Sequence, residues 1–272
     1  MKDDFSETNL KVFEKYYLIN KVGKKKKKKK IIIKKKNLKK MIGIFREDKT
    51  EYYQRKVLNA NENLDMSRRD YSIKEFKMIS ESIKKNQSIK RLEFAKTEIE
   101  LEKLKLLLES IKENKKIEKL NLAENLIFKK ETILIAHFLK SNTSLKVLNL
   151  PKNVIKEGLP YLSDALKVNS SLEWLNLSNN QISDNDCADF IECFAYNRSI
   201  HTLLIMGNFL SDNFAKIFGE ILSQKNFSLK SVNISANNFT DKSNHCFLEA
   251  MKINKSITSF NISGSKSIDQ GF

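Results

Sequence analysis

Leu175-Asn176-Leu177-Ser178-Asn179-Asn180-Gln181-Ile182-Ser183 returns, with substitutions, along most of the chain. Copies of the unit that contains it begin at Ile89, Ile117, Leu145, Leu172, Ile200, Leu229 and Ile257. The intervals are 28, 28, 27, 28, 29 and 28 residues. A fixed period of this size means a stack of similar units, each completing its apolar face against its neighbours. The recurring residues fit L-x-x-L-x-L-x-x-N-x-L. One copy is Ile117, Leu120, Leu122, Asn125, Ile127, and the next is Leu145, Leu148, Leu150, Asn153, Ile155. Then come Leu172, Leu175, Leu177, Asn180, Ile182, followed by Ile200, Leu203, Ile205, Asn208, Leu210 and by Leu229, Val232, Ile234, Asn237, Phe239.

Each half of the unit predicts its own local structure. Leu120 and Leu122 alternate with polar neighbours, which is strand periodicity, so both point inward and the residues between them outward. The second half predicts a helix. Ser183-Asp184, Ser211-Asp212 and Thr240-Asp241 are helix starts. Behind them Phe190, Ile191 and Phe194, or Phe214, Ile217, Phe218 and Ile221, recur at helical spacing and are expected to face the core. Each helix is expected to run out at an Asn: Asn86, Asn114, Asn142, Asn169, Asn197, Asn226 and Asn254.

Five successive copies with all five positions filled resemble the leucine-rich repeat family, over roughly residues 61 to 272. The 28-residue length and helical second half are similar to the ribonuclease-inhibitor subclass. The resemblance implies an α/β solenoid, a right-handed horseshoe with parallel strands on the concave face and helices on the convex face. It also implies a structural role for Asn125, Asn153, Asn180, Asn208 and Asn237, whose side chains bond backbone where the chain turns. An Asn amide both donates and accepts, so it suits that task. The match fades at the ends. The copy at Ile89 has Thr97 in place of Asn, Leu64, Met66, Arg69 and Tyr71 form a degenerate earlier copy, and the last copy has Ser265.

Composition agrees with a continuous solenoid core plus an N-terminal appendage: 272 residues, 40% hydrophobic, with only 7 Gly and 2 Pro. Scarce glycine is expected where Asn makes the same turn in every unit. No apolar run approaches the roughly 18 residues of a membrane helix, and Met-Lys-Asp-Asp-Phe lacks the apolar segment of a secretory signal. Cys187, Cys193 and Cys246 are too few and scattered for a disulfide framework or a zinc site, so they are expected to be core or surface thiols. These features imply a reducing, intracellular setting, cytoplasmic or nuclear. Asn-x-Ser triplets at Asn86, Asn142, Asn169, Asn197, Asn226, Asn176, Asn233 and Asn261 fall at two fixed phases of the repeat. They are therefore architecture and not glycosylation sites.

Residues 1 to 56 differ from residues 57 to 272. They hold 18 Lys and 2 Arg against 7 acids, which supplies +13 of the net +17. Lys24, Lys25, Lys26, Lys27, Lys28, Lys29 and Lys30 form an unbroken run, followed by Lys34 to Lys36 and Lys39-Lys40. A nuclear localisation signal, a patch for acidic lipid, a nucleic-acid tether and a merely solvated tail all fit such a run. The flanks Phe5 to Asn20 (Leu10, Phe13, Tyr17) and Leu38 to Leu58 (Met41, Ile44, Phe45) have helical amphipathicity. They are candidates to cover the open N-terminal end of the solenoid.

No catalytic constellation emerges, and no cofactor or metal site is expected. There is no glycine-rich phosphate loop and no H-E-x-x-H. His137, His201 and His245 fall in three repeats at three phases, and only His201, at a strand start, is a candidate for partner contact. The acid pairs Glu98/Glu100 and Asp184/Asp186 read as helix starts or solvated faces.

The strand-lined surface is what remains. The register sets its outward positions: Val147, Asn149, Pro151; Trp174, Asn176, Ser178; Thr202, Leu204, Met206; Ser231, Asn233, Ser235, and their equivalents in other copies. Trp174, the only tryptophan, falls with Val147, Thr202, Leu204 and Met206 in a patch that has the chemistry of a protein-binding hot spot. The sequence therefore predicts a non-enzymatic scaffold that binds another protein. Two alternatives stand beside it: a small-GTPase regulator similar to Ran GTPase-activating proteins, and a recognition segment of a larger sensor or ubiquitin ligase.

Overall fold

The computed structural model describes residues 49–264. The lysine run at Lys24 to Lys30, the flanking residues from Leu10 to Phe45, and Ser265 lie outside the described residues. Helices and three-residue strands alternate: α1 (Lys49–Leu58), β1 (Asn63–Asp65), α2 (Ile73–Lys85), β2 (Arg91–Glu93), α3 (Leu101–Glu113), β3 (Lys119–Asn121), α4 (Lys129–Ser141) and β4 (Val147–Asn149). A short 3-10 turn (Lys156–Gly158) leads into α5 (Leu159–Val168). Then follow β5 (Trp174–Asn176), α6 (Asp184–Cys193), β6 (Thr202–Leu204), α7 (Asp212–Gln224), β7 (Ser231–Asn233), α8 (Asp241–Ile253) and β8 (Ser259–Asn261).

The strands form one parallel sheet in chain order, β1 to β8. This is a leucine-rich-repeat-like α/β solenoid. Leu64, Leu92, Leu120, Leu148, Leu175, Leu203, Val232 and Phe260 pair successively, so one residue per repeat forms a row through the sheet. All but Phe260 are buried. The degenerate copy at Leu64 takes full register, because the two-residue period of a strand leaves only one inward set. Behind the row, helix residues such as Phe76, Leu107, Leu139, Leu166, Phe190 and Phe218 close a single continuous core. Rings in edge-to-face and tilted pairs run through it from Phe190 and Phe194 to Phe218, Phe214, Phe239, Phe247 and Phe260.

Asparagine side chains stitch the stack in two places. At the strand end, Asn153 accepts with Oδ1 from the N–H groups of Asn125 (3.0 Å) and Ile127 (3.0 Å), and donates with Nδ2 to the carbonyls of Leu122 (3.1 Å) and Leu150 (3.0 Å). Asn208 accepts likewise from Asn180 (2.9 Å) and Ile182 (3.1 Å), and Asn237 from Asn208 (3.1 Å) and Leu210 (3.1 Å). Asn125 reaches Thr97 N–H (2.9 Å) and the Phe94 carbonyl (2.7 Å). Asn180 donates to Leu150 (2.9 Å) and Ser178 (3.2 Å), but its Oδ1 is buried without a partner. The repeat before it is the 27-residue one, whose chain turns directly into the 3-10 segment. Where Asn is missing, other hydroxyls serve the same carbonyls: Thr97 Oγ1 donates to Phe94 (2.9 Å) and Tyr71 Oη to Met66 (2.8 Å).

The helix-end asparagines form the second ladder. Asn86 donates to the Val57 carbonyl (2.9 Å), Asn169 to Leu139 (2.8 Å), Asn197 to Leu166 (2.8 Å), Asn226 to Phe194 (2.7 Å) and Asn254 to Leu222 (2.7 Å). Their Oδ1 atoms fold onto their own backbone, as Asn169 does with the N–H groups of Ser171 (3.2 Å) and Leu172 (2.9 Å). In three of the triplets the Ser adds a bond backward to the Asn of the triplet before it: Ser171 Oγ to the Asn142 carbonyl (3.1 Å), Ser199 Oγ to that of Asn169 (3.4 Å) and Ser228 Oγ to that of Asn197 (3.2 Å).

Several local features depart from the sequence reading. The turn after each strand is made one residue before the Asn, in left-handed backbone: Lys96, Glu124, Lys152, Asn179 and Ala236 have φ of 54 to 57°, and only Gly207 and Gly264 use glycine there. A non-glycine residue at this position costs on the order of 1 kcal/mol, which the adjoining Asn bonds offset. Ile217 is exposed at 42%, because the buried stripe of α7 is Phe214, Ala215, Phe218, Ile221 and Leu222, and 217 falls on its flank. Helix α6 stops at Cys193, four residues before Asn197, and α7 at Gln224. Helix α1 crosses the composition boundary at residue 56, and its Tyr53 and Val57 belong to the repeat core.

The helix starts behave as their Ser-Asp and Thr-Asp pairs predict, with an added reach between repeats. Ser183, Ser211 and Thr240 are the residues before α6, α7 and α8. Asp184 accepts from the Ser211 N–H (2.8 Å) and hydroxyl, and Asp212 from the Thr240 N–H (2.9 Å) and hydroxyl (2.6 Å) and the Ser243 hydroxyl.

Candidate functional site

The register places Val147, Trp174 and Thr202 side by side as first residues of β4, β5 and β6. Each points away from the core, because the buried residue of its strand is the next one. Trp174 is 39% exposed while its neighbour Leu175 is fully buried. Around Trp174 the surface sinks into a depression of about 340 Å³, lined by Val147, Glu173, Trp174, His201, Thr202 and Lys230.

Two members of the sequence patch lie apart from this depression. Leu204 is half-buried at the third residue of β6, in the row of Asn149, Asn176 and Asn233. Met206 lies past the strand end, where the thioether accepts a weak contact from Asn233 Nδ2 at 3.8 Å. The middle row is self-satisfied on its acceptor side. Asn121, Asn176 and Asn233 each accept the backbone N–H two residues on, at 3.0 Å. The third outward position is not fully outward: Ser178 and Ser235 are buried. The strand has ended before them, and the chain is already turning under toward the Asn loop.

Glu173 and Lys230 are rim groups that the inward-outward alternation of the strand did not identify. They belong to a column one residue ahead of each strand, beside His201. That column reads Glu62, Lys90, Glu118, Lys146, Glu173, His201, Lys230. Its backbone is wired repeat to repeat: Glu173 N–H donates to Lys146 (2.8 Å), His201 N–H to Glu173 (2.9 Å) and Lys230 N–H to His201 (2.8 Å). Salt bridges join Lys90 to Glu62 at 2.7 Å and Lys146 to Glu173 at 3.7 Å. The Lys90 ammonium holds the Glu62 carboxyl below its ordinary value, and the carboxylate raises the lysine in turn. The alternation of signs in that column was the available signal for the rim.

The opposite half of the sheet has a different surface. Arg91, Glu93 and Lys119 stand where Trp174 and its neighbours stand later, and a shallow basin lies by Arg68, Arg69, Asp70, Lys96 and Glu98. Asp70 and Lys96 of this basin are in ion pairs. Lys103 pairs with Asp70 at 2.9 Å, and Glu124 sits between Lys96 (3.1 Å) and Lys152 (3.5 Å). Elsewhere, burial pushes the Cys187 and Cys193 thiols well above their ordinary value, so both stay protonated and poor nucleophiles. His137 and His245 are exposed on α4 and α8. Among the described residues no cluster of three His, Cys, Asp or Glu side chains is placed to hold a metal, and no helix is long and apolar enough to cross a membrane.

The family profile described as Leucine Rich Repeat matches residues 171–193, the turn of sequence that contains Trp174 and Asn180. No curated protein matches the chain by sequence. Among solved structures, the chain is similar to leiomodin-1 actin-binding site 2, at 19% identity and a TM-score of 0.38, over 42% of this chain and 65% of that one. It thus spans somewhat less than two thirds of that leiomodin chain. It is also similar to the tropomodulin C-terminal domain of Caenorhabditis elegans, at 16% identity and a TM-score of 0.41, over 75% of this chain and 92% of that one. Both superpositions are too loose to carry a partner or a site across.

Proposed function

We propose that the chain is a non-enzymatic scaffold, built of ribonuclease-inhibitor-like leucine-rich repeats, that holds another protein against its strand-lined face around Val147, Trp174, Thr202, Leu204 and Met206. The observation that carries this reading is Trp174 itself: a large ring, 39% exposed, in a depression on a sheet whose next residue inward is fully buried. Aromatic side chains in pockets ringed by polar groups dominate binding energies. The sheet is held by two hydrogen-bonded ladders, so the surface is preformed and little ordering entropy is lost on binding. The neutral, buried thiols and the paired or solvated carboxylates supply no activated nucleophile or base. The Lys24 to Lys30 run adds a weak, salt-sensitive contact to acidic lipid or nucleic acid, and the protein acts in the cytoplasm or nucleus.

Trp174→Ala tests the reading. Partners captured from the native cell by the intact chain should be lost, with binding weakened by roughly 2 kcal/mol or more, while the melting temperature stays nearly unchanged. A destabilised variant that still captures the same partners would mean that Trp174 is packing and the interface lies elsewhere.

A further inference from the structure

We propose that the depression at Trp174 takes an extended peptide segment that sets an apolar side chain against Trp174 and Val147 and a carboxylate against His201 and Lys230. This rests on the reading of the strand-lined face as a protein-binding surface, and it names the chemistry of the partner.

The charge column at the strand starts carries the argument. From Glu62 to Glu173 its signs alternate, so each charged group has opposite neighbours one repeat away. Lys146 takes up Glu173 at 3.7 Å. The alternation then breaks, because Glu173 is followed by His201 and Lys230, and the next position is Thr258. Lys230 therefore has no acid on either side in its column, and no carboxylate partner among the described residues. The rim of the depression is left with an unmatched cation and an imidazole, and its one acid is already engaged. A like-signed partner is repelled there and an acidic one attracted.

Shape narrows the occupant. About 340 Å³ is near the low end for ligand pockets, so it admits one or two side chains of a segment and not the body of a domain. Lys230 precedes β7, two strands over from Trp174 in β5. Two strand spacings are roughly 9–10 Å, which an extended peptide crosses in about three residues. The apolar and acidic side chains should therefore lie about three residues apart. A nucleic acid is disfavoured because it needs a track of phosphate contacts. The neighbouring outward positions at Asn176, Ser231 and Asn233 are neutral.

The test uses random twelve-residue peptides displayed on phage and selected on the full chain, on Lys230→Glu and on Trp174→Ala. Binding of the enriched peptides is then read from fluorescence. The chain has a single tryptophan, so a spectral change reports this depression alone. The intact chain should enrich peptides that pair an aromatic or branched aliphatic residue with Asp or Glu. Trp174→Ala should lose them. Lys230→Glu should weaken them roughly tenfold and recover binding when the peptide acid is changed to Lys. Peptides that shift the Trp174 spectrum but carry no acid, or ignore Lys230→Glu, would overturn the acidic chemistry and leave the protein-binding face standing. Peptides that bind without changing the spectrum would overturn both. Failure to enrich any peptide would overturn the linear segment, leaving the scaffold reading to the capture experiment with Trp174→Ala. A twenty-nucleotide oligothymidylate that shifts the spectrum through Lys230, where no acidic peptide does, would give the depression to nucleic acid and refute the proposal.

Discussion

The strand-end and helix-end asparagines use the same amide in different ways. At the strand end both halves of the side chain reach the preceding repeat: Asn208 accepts from Asn180 and Ile182 and donates to Leu177 at 3.1 Å. At the helix end only the donor reaches back. Asn197 donates to Leu166 and Asn169, while its acceptor closes a turn onto Ser199 and Ile200, two and three residues on. The first ladder sends both halves of the amide across the unit boundary, although its donor also holds a carbonyl three residues back, as Asn208 does with Ile205 at 2.9 Å. The second ties a local turn to a contact between units. One residue type thus recurs at two phases of the period for different reasons.

Substitutions can break this comparison, and the largest effect is expected at the regular strand-end positions. Asn208→Ala strands two buried N–H groups and at least one buried carbonyl. It should cost about 3 kcal/mol or more of unfolding free energy in urea titration. A cost below that of the helix-end variants would refute the two-sided account. Asn197→Ala comes next, at about 2 kcal/mol, since of the two turn N–H groups it frees only that of Ile200 is fully buried, and Ser199 is half-buried. Asn180→Ala should be milder, about 1 kcal/mol, because its Oδ1 has no partner to lose. Equal losses at Asn180 and Asn208 would show that the break at the 27-residue repeat has no energetic meaning.

The smallest effect concerns acid. Burial acts to raise the Asp212 carboxyl, but the hydroxyls of Ser243 and Thr240 and the Thr240 N–H outweigh it, leaving the group below its ordinary value of 3.8. A depressed carboxyl contributes stability above its unfolded value and loses it as pH falls through the folded one. Stability measured from pH 6 to 2 should therefore decline below about pH 4, with the contribution of this half-buried site reduced by solvent screening. Asp212→Asn should flatten a small part of that decline, and an identical profile would assign the acid sensitivity elsewhere.

The strand half of each repeat was legible because its period of two allows one inward set. Leu64 shows this, taking register although most of its copy is degenerate. The row Val147, Trp174, Thr202 follows from the same rule. The helix half was less legible. At 3.6 residues per turn a stripe has flanks, and Ile217 falls on one although its spacing suits the core. The second asparagine ladder was visible as recurrence, but its reach across to Val57, Leu139 or Leu166 depends on distances that only the folded stack sets. Lys230 escaped notice for a related reason. It is ordinary in its own repeat, and only the stacking of seven strand starts shows that it follows another basic position.

Both ladders point the same way along the chain: an asparagine completes the repeat made before it. Asn153 closes the turn at Asn125, and Asn86 takes the carbonyl of Val57. During synthesis, then, no unit can finish when its own last residue leaves the ribosome. It waits for the amide of the unit behind it, so the folded front should trail the growing end by about one repeat. A nascent chain stalled after Leu203 should protect the turn at Asn125, closed by Asn153, from hydrogen exchange while that at Asn180 stays open. Extension past Asn208 should close the latter.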